Sequence, residues 1–139
     1  NTDTVDACNE PDAQALGMLI DNGIIPVVCP ITCDAAGQLL NTNADTIASS
    51  VACALAADYD VSLVYCFEKS GVLADPQDEN SLIRRITRPE FEVLVADGTV
   101  QGGMIPKLEN AFAAIAAGVG KVIITKADNL GTDVCTEIV

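Results

Sequence analysis

The stretch Val61-Ser62-Leu63-Val64-Tyr65-Cys66 decides the fold that this sequence predicts. A short run of β-branched, aromatic and other apolar residues between polar links is typical of a β-strand. Residues 46–57 before it form a predicted alanine-rich helix, and residues 24–29 before that helix are a nearly continuous apolar run. A buried strand, a helix and a second strand in this order indicate a right-handed crossover between parallel strands. We therefore predict an α/β fold with a parallel sheet.

Further helices and strands are predicted around this unit, within a single domain that comprises residues 1–139. Glycine, proline and polar clusters separate the apolar segments and mark where each one begins and ends. The further predicted strands are at residues 4–7, 83–86, 121–125 and 137–139, and a hairpin is predicted at 31–41. Three further helices are predicted. The first is opened by Pro11 and runs to about Asn22, the second begins with a capping box of Thr87 and Glu90 and ends near Ala96, and the third has its body at 107–117.

The composition argues against several classes of function. The chain has 7 Lys and Arg against 20 Asp and Glu, a formal charge of −13, whereas nucleic-acid binding depends on clustered cations. No apolar run approaches the roughly 18 residues of a membrane span, and no signal-type segment opens the sequence, so we expect a cytoplasmic protein without membrane contact. The sequence contains no histidine, which removes Ser-His-Asp and Cys-His catalysis.

The six cysteines are expected to be reduced and buried. Only Cys29 and Cys33 form a closely spaced pair, whereas a structural zinc site usually needs two such pairs. We therefore predict no metal site made by the protein itself.

A glycine-rich stretch, Gln101-Gly102-Gly103-Met104-Ile105-Pro106-Lys107, is the first candidate site. The glycines allow a tight turn and close approach of a ligand, and Pro106 suits the first turn of a helix. Free N–H groups at a helix start attract anions such as phosphate, and Lys107 adds a full positive charge. The stretch predicts an anion site, although it also fits a glycine-capped surface helix with a solvated lysine.

A second polar cluster, Asn41-Thr42-Asn43-Ala44-Asp45, precedes the predicted helix at residues 46–57. Asn43 is a good N-cap, and the helix dipole favours Asp45 in the first turn. These local roles explain both residues, but the same side chains would equally hold a ligand and orient a lysine. Ligands of parallel sheets bind beyond the carboxyl ends of the strands, which here indicates residues 65–69 and the Gly71 turn.

Several spaced motifs together resemble those of one known family. They are Ile25-Pro26-Val27, residues 41–45, Gly71-Val72-Leu73 with Asp75-Pro76, and residues 102–107. In this order they resemble the C-terminal, nucleotide-binding half of the acetylglutamate kinases, within the amino acid kinase family, over nearly all of the chain. The segment Cys66-Phe67-Glu68-Lys69 looks like the variant of Bacteroidetes-type members. The resemblance implies a three-layer α/β/α sandwich with a mainly parallel sheet, truncated at the N-terminal lobe.

The resemblance also implies an activity. Members of this family phosphorylate the side-chain carboxylate of an N-acylglutamate with ATP, in arginine biosynthesis, and Mg²⁺ binds through the nucleotide phosphates. Such transfer works by positioning and charge neutralisation, without a covalent enzyme intermediate. We therefore expect ATP and N-acetylglutamate or N-succinylglutamate as ligands, and a homo-oligomer.

Individual roles follow motif by motif from the resemblance. Lys107 resembles the catalytic lysine that contacts the phosphates, and Asp45 resembles the catalytic aspartate that holds two lysines in place. Asn41 and Asn43 resemble residues that bind the acylglutamate. The positions that match nucleotide-binding residues are Tyr65, Cys66, Phe67, Gly71, Val72, Leu73, Gly102, Gly103 and Met104.

One departure from the family concerns its N-terminal half, which carries the first catalytic lysine and a Gly-Gly segment. Nothing in this sequence matches either, so we expect half of an active site. Three alternatives therefore remain open. They are a nucleotide- or phosphate-binding module without turnover, a related kinase such as glutamate 5-kinase or isopentenyl phosphate kinase, and a scaffolding domain.

Overall fold

The structure, a computed structural model, describes residues 11–139. The predicted strand at residues 4–7 lies outside the described residues. In chain order the elements are α1 (Ala13–Asp21), β1 (Ile31–Cys33), β2 (Leu39–Asn41), α2 (Ala44–Leu55), β3 (Ser62–Phe67), β4 (Arg85–Ile86), α3 (Arg88–Ala96), α4 (Met104–Ala116), β5 (Lys121–Lys126), a 3-10 turn (Ala127–Asn129) and β6 (Thr136–Ile138).

A four-stranded sheet in the order β3-β5-β6-β4 forms the centre of the fold. Strands β3 and β5 are parallel, with Ser62 opposite Lys121 and Phe67 opposite Lys126. Strands β4 and β6 are also parallel, whereas β5 and β6 are antiparallel. The predicted α/β fold with a mainly parallel sheet is confirmed. The predicted hairpin is confirmed as well, because β1 and β2 pair separately as an antiparallel ribbon.

The hydrophobic core lies between the sheet and helices α2 and α4, which pack against each other. Leu108, Ala111 and Ala114 of α4 are fully buried, and their spacing of three places them on one helical face. Val122 and Ile124 of β5 are also fully buried, in the alternating pattern of a strand. This packing fixes the first turns of α2 and α4 relative to the sheet.

Local signals set the helix starts. Asp12 caps α1 by accepting the N–H of Ala15, so the helix begins after the aspartate rather than at Pro11 as predicted. Thr87 and Glu90 form the predicted capping box of α3. Both devices need only residues within one turn, which explains why the sequence indicates helix starts to within a few residues.

The prediction of a buried strand at residues 24–29 was wrong. The segment lies outside every helix and strand, and Ile25 and Val27 are 87% and 95% exposed. A strand that is apolar on both sides needs packing partners on both faces. The described part of the chain supplies none for this segment, so its apolar side chains remain in solvent.

The expected burial of the cysteines was also wrong for part of the set. Cys29, Cys33 and Cys66 are exposed, and all the cysteines that the structure describes are free. Cys66 faces outward because β3 buries alternate residues, Leu63 and Tyr65, toward the helices. Among residues 11–139, no helix has the length and apolar character that a membrane crossing requires.

Candidate active site

The structure brings Lys107 and Asp45 together from the starts of two helices. Lys107 Nζ donates a hydrogen bond to Asp45 Oδ2 across 2.6 Å, and the two side chains are 31% and 23% exposed. Asp45 lies in the first turn of α2 and Lys107 near the start of α4. The ion pair therefore lies where two helix N-termini converge, a location that favours a negatively charged ligand.

Two neighbours hold the Asp45 end of this pair. The side-chain oxygen of Asn43 accepts the N–H groups of Asp45 at 2.8 Å and Thr46 at 3.3 Å, which makes Asn43 the N-cap of α2. The Tyr65 hydroxyl donates to the backbone oxygen of Asp45 at 3.3 Å. Burial raises the pKa of the Tyr65 phenol above its ordinary value of 10, so the group remains a neutral donor near neutral pH.

An aromatic pair holds the Lys107 end. Lys107 Nζ lies 4.1 Å from the centroid of the Phe67 ring, and a cation over a ring face is attracted by its negative π-system. Phe67 is stacked on Tyr65, with ring centroids 6.1 Å apart and an interplanar angle of 7°. Both aromatic residues belong to the predicted nucleotide-binding set, but the structure places them against the ion pair as well.

The glycine pair lies at the entrance of α4 and leaves its backbone open. Gly102 has φ +57, in the left-handed region that favours glycine. A Cβ atom at Gly102 or Gly103 would meet no protein atom within 4 Å, so a ligand can approach this backbone closely.

The helix start offers fewer free donors than the sequence indicated. Met104 N–H is hydrogen-bonded to the Gln101 carbonyl at 3.2 Å, and Ile105 N–H to the Gly102 carbonyl at 3.3 Å. Pro106 has no N–H group to donate. The expectation of unsatisfied amides at this end was therefore wrong for these positions, because tight turn bonds use them. The positive charge at this end of the site comes chiefly from Lys107.

An open cavity of about 430 Å³ lies at the carboxyl end of β3, and Phe67, which contacts Lys107, is one of its lining residues. Four of the predicted nucleotide-binding residues meet here, together with two charged residues. The lining residues are Cys66, Phe67, Glu68, Lys69, Gly71 and Met104. The strand-end residues therefore line one cavity, as expected for ligand sites of parallel sheets, and of the helix-start motif only Met104 lines it with them.

Lys69 lies within the predicted ligand-binding range 65–69, although no individual role was predicted for it. Its ammonium lies 2.9 Å from Glu79 Oε1, and the hydrogen bond from Lys69 lowers the pKa of Glu79 below its ordinary value of 4.5. Both side chains are about half exposed, so the pair is a surface contact at the edge of the cavity. The loop that carries Glu79 has no sequence feature that indicates this contact.

Other predicted residues lie in the core instead of the cavity. Val72 and Leu73 are 3% and 7% exposed, and Val72 N–H donates to the Thr136 hydroxyl at 2.9 Å. A Cβ atom at Gly71 would lie 2.5 Å from Thr136 Oγ1 and 2.7 Å from Leu82 Cδ1. Packing alone therefore requires glycine at position 71, which, unlike Val72 and Leu73, also lines the cavity. The nucleotide contacts of these three residues stay predictions.

The two asparagines have different surroundings. The side-chain oxygen of Asn43 is engaged in the helix cap, whereas Asn41 is exposed at the end of β2, opposite Ile31. A separate, larger cavity of about 980 Å³ opens between α1, residues 28–32 and α2. The acylglutamate roles of both asparagines remain predictions.

Comparisons with known proteins agree with this geometry. The family model described as "Amino acid kinase family" matches residues 2–126 of this chain. Acetylglutamate kinase from Bacteroides thetaiotaomicron is 60% identical over 125 residues, which are 87% of this chain and 49% of that protein. Acetylglutamate kinase from Phocaeicola vulgatus is 59% identical over 116 residues, covering 84% of this chain and 45% of that one. The chain thus spans about half the length of these relatives.

Solved structures share the fold. The crystal structure of smu.665 from Streptococcus mutans UA159 has a TM-score of 0.76 at 33% identity and covers 94% of this chain and 49% of that one. Carbamate kinase from Giardia lamblia bound to AMP-PNP has a TM-score of 0.66 at 21% identity, covering 93% and 49%, a likeness of fold alone. Because the family description covers most of its length and its fold is shared with these structures, the chain belongs to the amino acid kinase family.

Proposed function

We propose that the chain is the nucleotide-binding part of an N-acylglutamate kinase, which transfers a phosphoryl group from Mg-ATP to the side-chain carboxylate of N-acetylglutamate or N-succinylglutamate. The observation that carries the proposal is the Lys107–Asp45 ion pair at two converging helix starts, beside an open glycine-lined entrance. The identities of 60% and 59% to acetylglutamate kinases support this substrate class. A place in arginine biosynthesis and a cytoplasmic location belong to the same proposal.

Each residue contributes a defined part of the chemistry. Lys107 is the cation that meets the terminal phosphates of ATP, where charge spreads over the phosphoryl oxygens during transfer. Asp45 keeps the ammonium in place by its direct hydrogen bond. Mg²⁺ would accompany ATP through the phosphates and neutralise charge on them. The first catalytic lysine of the family would come from the part of the relatives that this chain does not span.

The cavity at the end of β3 is the proposed place of the nucleotide. Its volume of about 430 Å³ lies within the usual range of ligand sites, roughly 300 to 1,000 Å³. Phe67 and Met104 supply apolar surface there, whereas Gly102 and Gly103 leave the backbone accessible beside Lys107. The names of the relatives that are 60% and 59% identical, both acetylglutamate kinases, support an ATP-type ligand.

The first experiment measures nucleotide binding by thermal unfolding with and without Mg-ATP. A ligand at about 100 times its Kd stabilises a protein by roughly 2.7 kcal/mol, so a real site gives a clear rise in Tm. Lys107→Ala should lose most of this rise. Lys121→Ala is the matched control, because Lys121 lies at the opposite end of the parallel strands, in an ion pair with Glu137. No rise in the unmodified chain would contradict the proposal.

The second experiment measures ADP release with N-acetylglutamate, N-succinylglutamate and free glutamate as acceptors. If the chain turns over, Lys107→Ala should lower the rate about 100- to 1,000-fold, the usual effect of removing one charge-stabilising group. Preference for free glutamate would instead indicate a relative such as glutamate 5-kinase. Stabilisation by Mg-ATP without turnover would indicate a binding module, an outcome consistent with a chain of about half the relatives' length.

We also propose that the chain forms homo-oligomers through the apolar surface that residues 24–28 and Ile31 expose. Ile25, Val27 and Ile31 are 87%, 95% and 52% exposed, and large exposed apolar patches commonly mark association sites. A second copy of this chain is the proposed occupant.

A further inference from the structure

The Lys107 ammonium is held from two sides by groups of different chemistry. Asp45 accepts its hydrogen bond at 2.6 Å, and the Phe67 ring lies with its centroid 4.1 Å from Nζ. The contacts form a closed cycle, because Phe67 stacks on Tyr65 and Tyr65 donates to the backbone of Asp45. Three residues from β3 and α2 thus hold one ammonium group of α4, two by direct contact and Tyr65 through its contacts with the other two.

The two contacts on Lys107 do different things. A carboxylate attracts the ammonium strongly but leaves the flexible four-carbon side chain free to pivot around it. The ring attracts the same cation through its π-face, which restricts where the ammonium can lie without adding a second full negative charge. Because an ammonium has three N–H donors and Asp45 uses one, donors remain for a phosphate at the cavity.

The sequence resemblance suggested a different role for Phe67, namely direct contact with the nucleotide. The ring does line the cavity, so both roles agree with its position. The structure adds the direct approach to Lys107 and the parallel stack on Tyr65, neither of which a contact with the base requires. These two contacts favour a role that acts through the lysine.

We propose that Phe67 is a positioning residue that holds the Lys107 ammonium against Asp45 at the edge of the cavity. The inference rests on the proposed function in one respect: the positioned ammonium is the group that meets the nucleotide phosphates. Phe67 itself neither gives nor takes a proton. Its contribution is the orientation of Lys107 before the nucleotide arrives.

The first test is spectroscopic and needs no nucleotide. Protons over an aromatic face resonate upfield, so the Lys107 Hε signals, assigned by their loss in Lys107→Met, should lie upfield of those of the other lysines. Phe67→Leu should return them to ordinary positions, and Phe67→Tyr should keep the displacement. Val64→Ala is the matched control, because Val64 belongs to the same strand and is exposed. Lys107 signals that do not move in Phe67→Leu would overturn the inference.

The second test is a double-mutant cycle on nucleotide affinity. Phe67→Leu should weaken ATP binding about two- to fivefold more than it weakens adenosine binding, the usual range for an exposed cation–π contact, because only ATP carries the phosphates that Lys107 meets. In the Lys107→Met background this additional loss for ATP should disappear. Phe67→Tyr should restore ATP affinity, because it keeps the ring.

The outcomes separate the inference from the proposed function. Equal losses of ATP and adenosine affinity that add to the loss in Lys107→Met would overturn the positioning role and indicate contact with the base. Absence of ATP binding in the unmodified chain would contradict the proposed function, whereas the Lys107 spectrum would still decide whether Phe67 holds the lysine. Retained Tm values in Phe67→Leu and Val64→Ala verify that the variants fold.

Discussion

Residues 24–28 are more apolar in sequence than the core-facing helix α4, yet it is α4 that the fold buries. Leu108 of α4 is fully buried, and Ile25 is 87% exposed. Helix α4 has partners within the chain, namely α2, α3, β5 and β6. For residues 24–28 the described residues provide no such cover. An apolar sequence pattern therefore indicates that burial of a segment would be favourable. Whether the segment is buried depends on packing partners elsewhere in the chain.

The largest expected effect tests this contrast directly with two truncations. Leu108→Ala should lower the free energy of unfolding by about 2–5 kcal/mol, because it removes buried methyl groups and leaves a cavity. Ile25→Ala should change it by less than about 0.5 kcal/mol, because the side chain already lies in solvent. Urea unfolding of both variants provides the comparison. A cost at Ile25 close to that at Leu108 would mean that residues 24–28 are buried in solution.

A second contrast uses glycines that both have positive φ. Gly71 (φ +154) and Gly23 (φ +74) each suffer backbone strain when replaced by alanine. Only at Gly71 would the new Cβ also clash, with Thr136 and Leu82, whereas at Gly23 it meets nothing within 4 Å. Gly71→Ala should therefore cost about 1–3 kcal/mol more than Gly23→Ala, the usual cost of overpacking. Chemical unfolding of the two variants measures the difference, and equal costs would contradict the packing at Thr136.

The sequence predicts those parts of the fold that depend on neighbours along the chain. The caps at Asn43 and Thr87 follow from local signals, and the predicted strands at residues 61–66 and 121–125 are present as β3 and β5. The predicted crossover from residues 24–29 to β3 is absent, because residues 24–29 form no strand. The family motifs also indicated that Asp45 and Lys107 would meet, and the structure places them 2.6 Å apart. These features require no partner beyond the described residues.

The features that sequence reasoning missed depend on tertiary packing. Phe67 contacts Lys107 only because the fold brings the end of β3 to the first turns of α4. Strand alternation places Phe67 on the same face as Tyr65 but does not indicate which helix start it meets. The buried Thr136 hydroxyl accepts from Val72 and donates to the Ile83 carbonyl, so it organises a segment that the motifs assigned to the nucleotide. The exposure of residues 24–28 was missed because an apolar run in a sequence does not show whether other segments pack against it.

A third prediction concerns association through the exposed apolar surface. A double substitution, Ile25→Asp with Val27→Asp, should lower the sedimentation coefficient of the chain at high concentration, because charges at these highly exposed positions oppose contact between copies. Its effect on unfolding should stay within about 0.5 kcal/mol, as for most surface changes. Gln14→Asp, at an exposed position on α1, is the control for added charge. A monomeric unmodified chain would contradict the proposed homo-oligomer.

The smallest expected effect concerns the cap of α3, which should work without any distant partner. Hydrogen bonds from the Thr87 N–H and hydroxyl lower the pKa of Glu90 below its ordinary value of 4.5. A lowered pKa in the folded state contributes stability that is present above the unfolded value and is lost as pH falls through the folded value. Glu90→Gln keeps a residue suited to the capping box but removes the titrating group. The free energy of unfolding of the unmodified chain should therefore exceed that of Glu90→Gln at about pH 6, and this difference should shrink as the pH falls to about 3. A difference that stays constant over this range would mean that the Glu90 carboxylate takes no part in the cap. The local sequence signal at Thr87 and Glu90 would then not account for the start of α3.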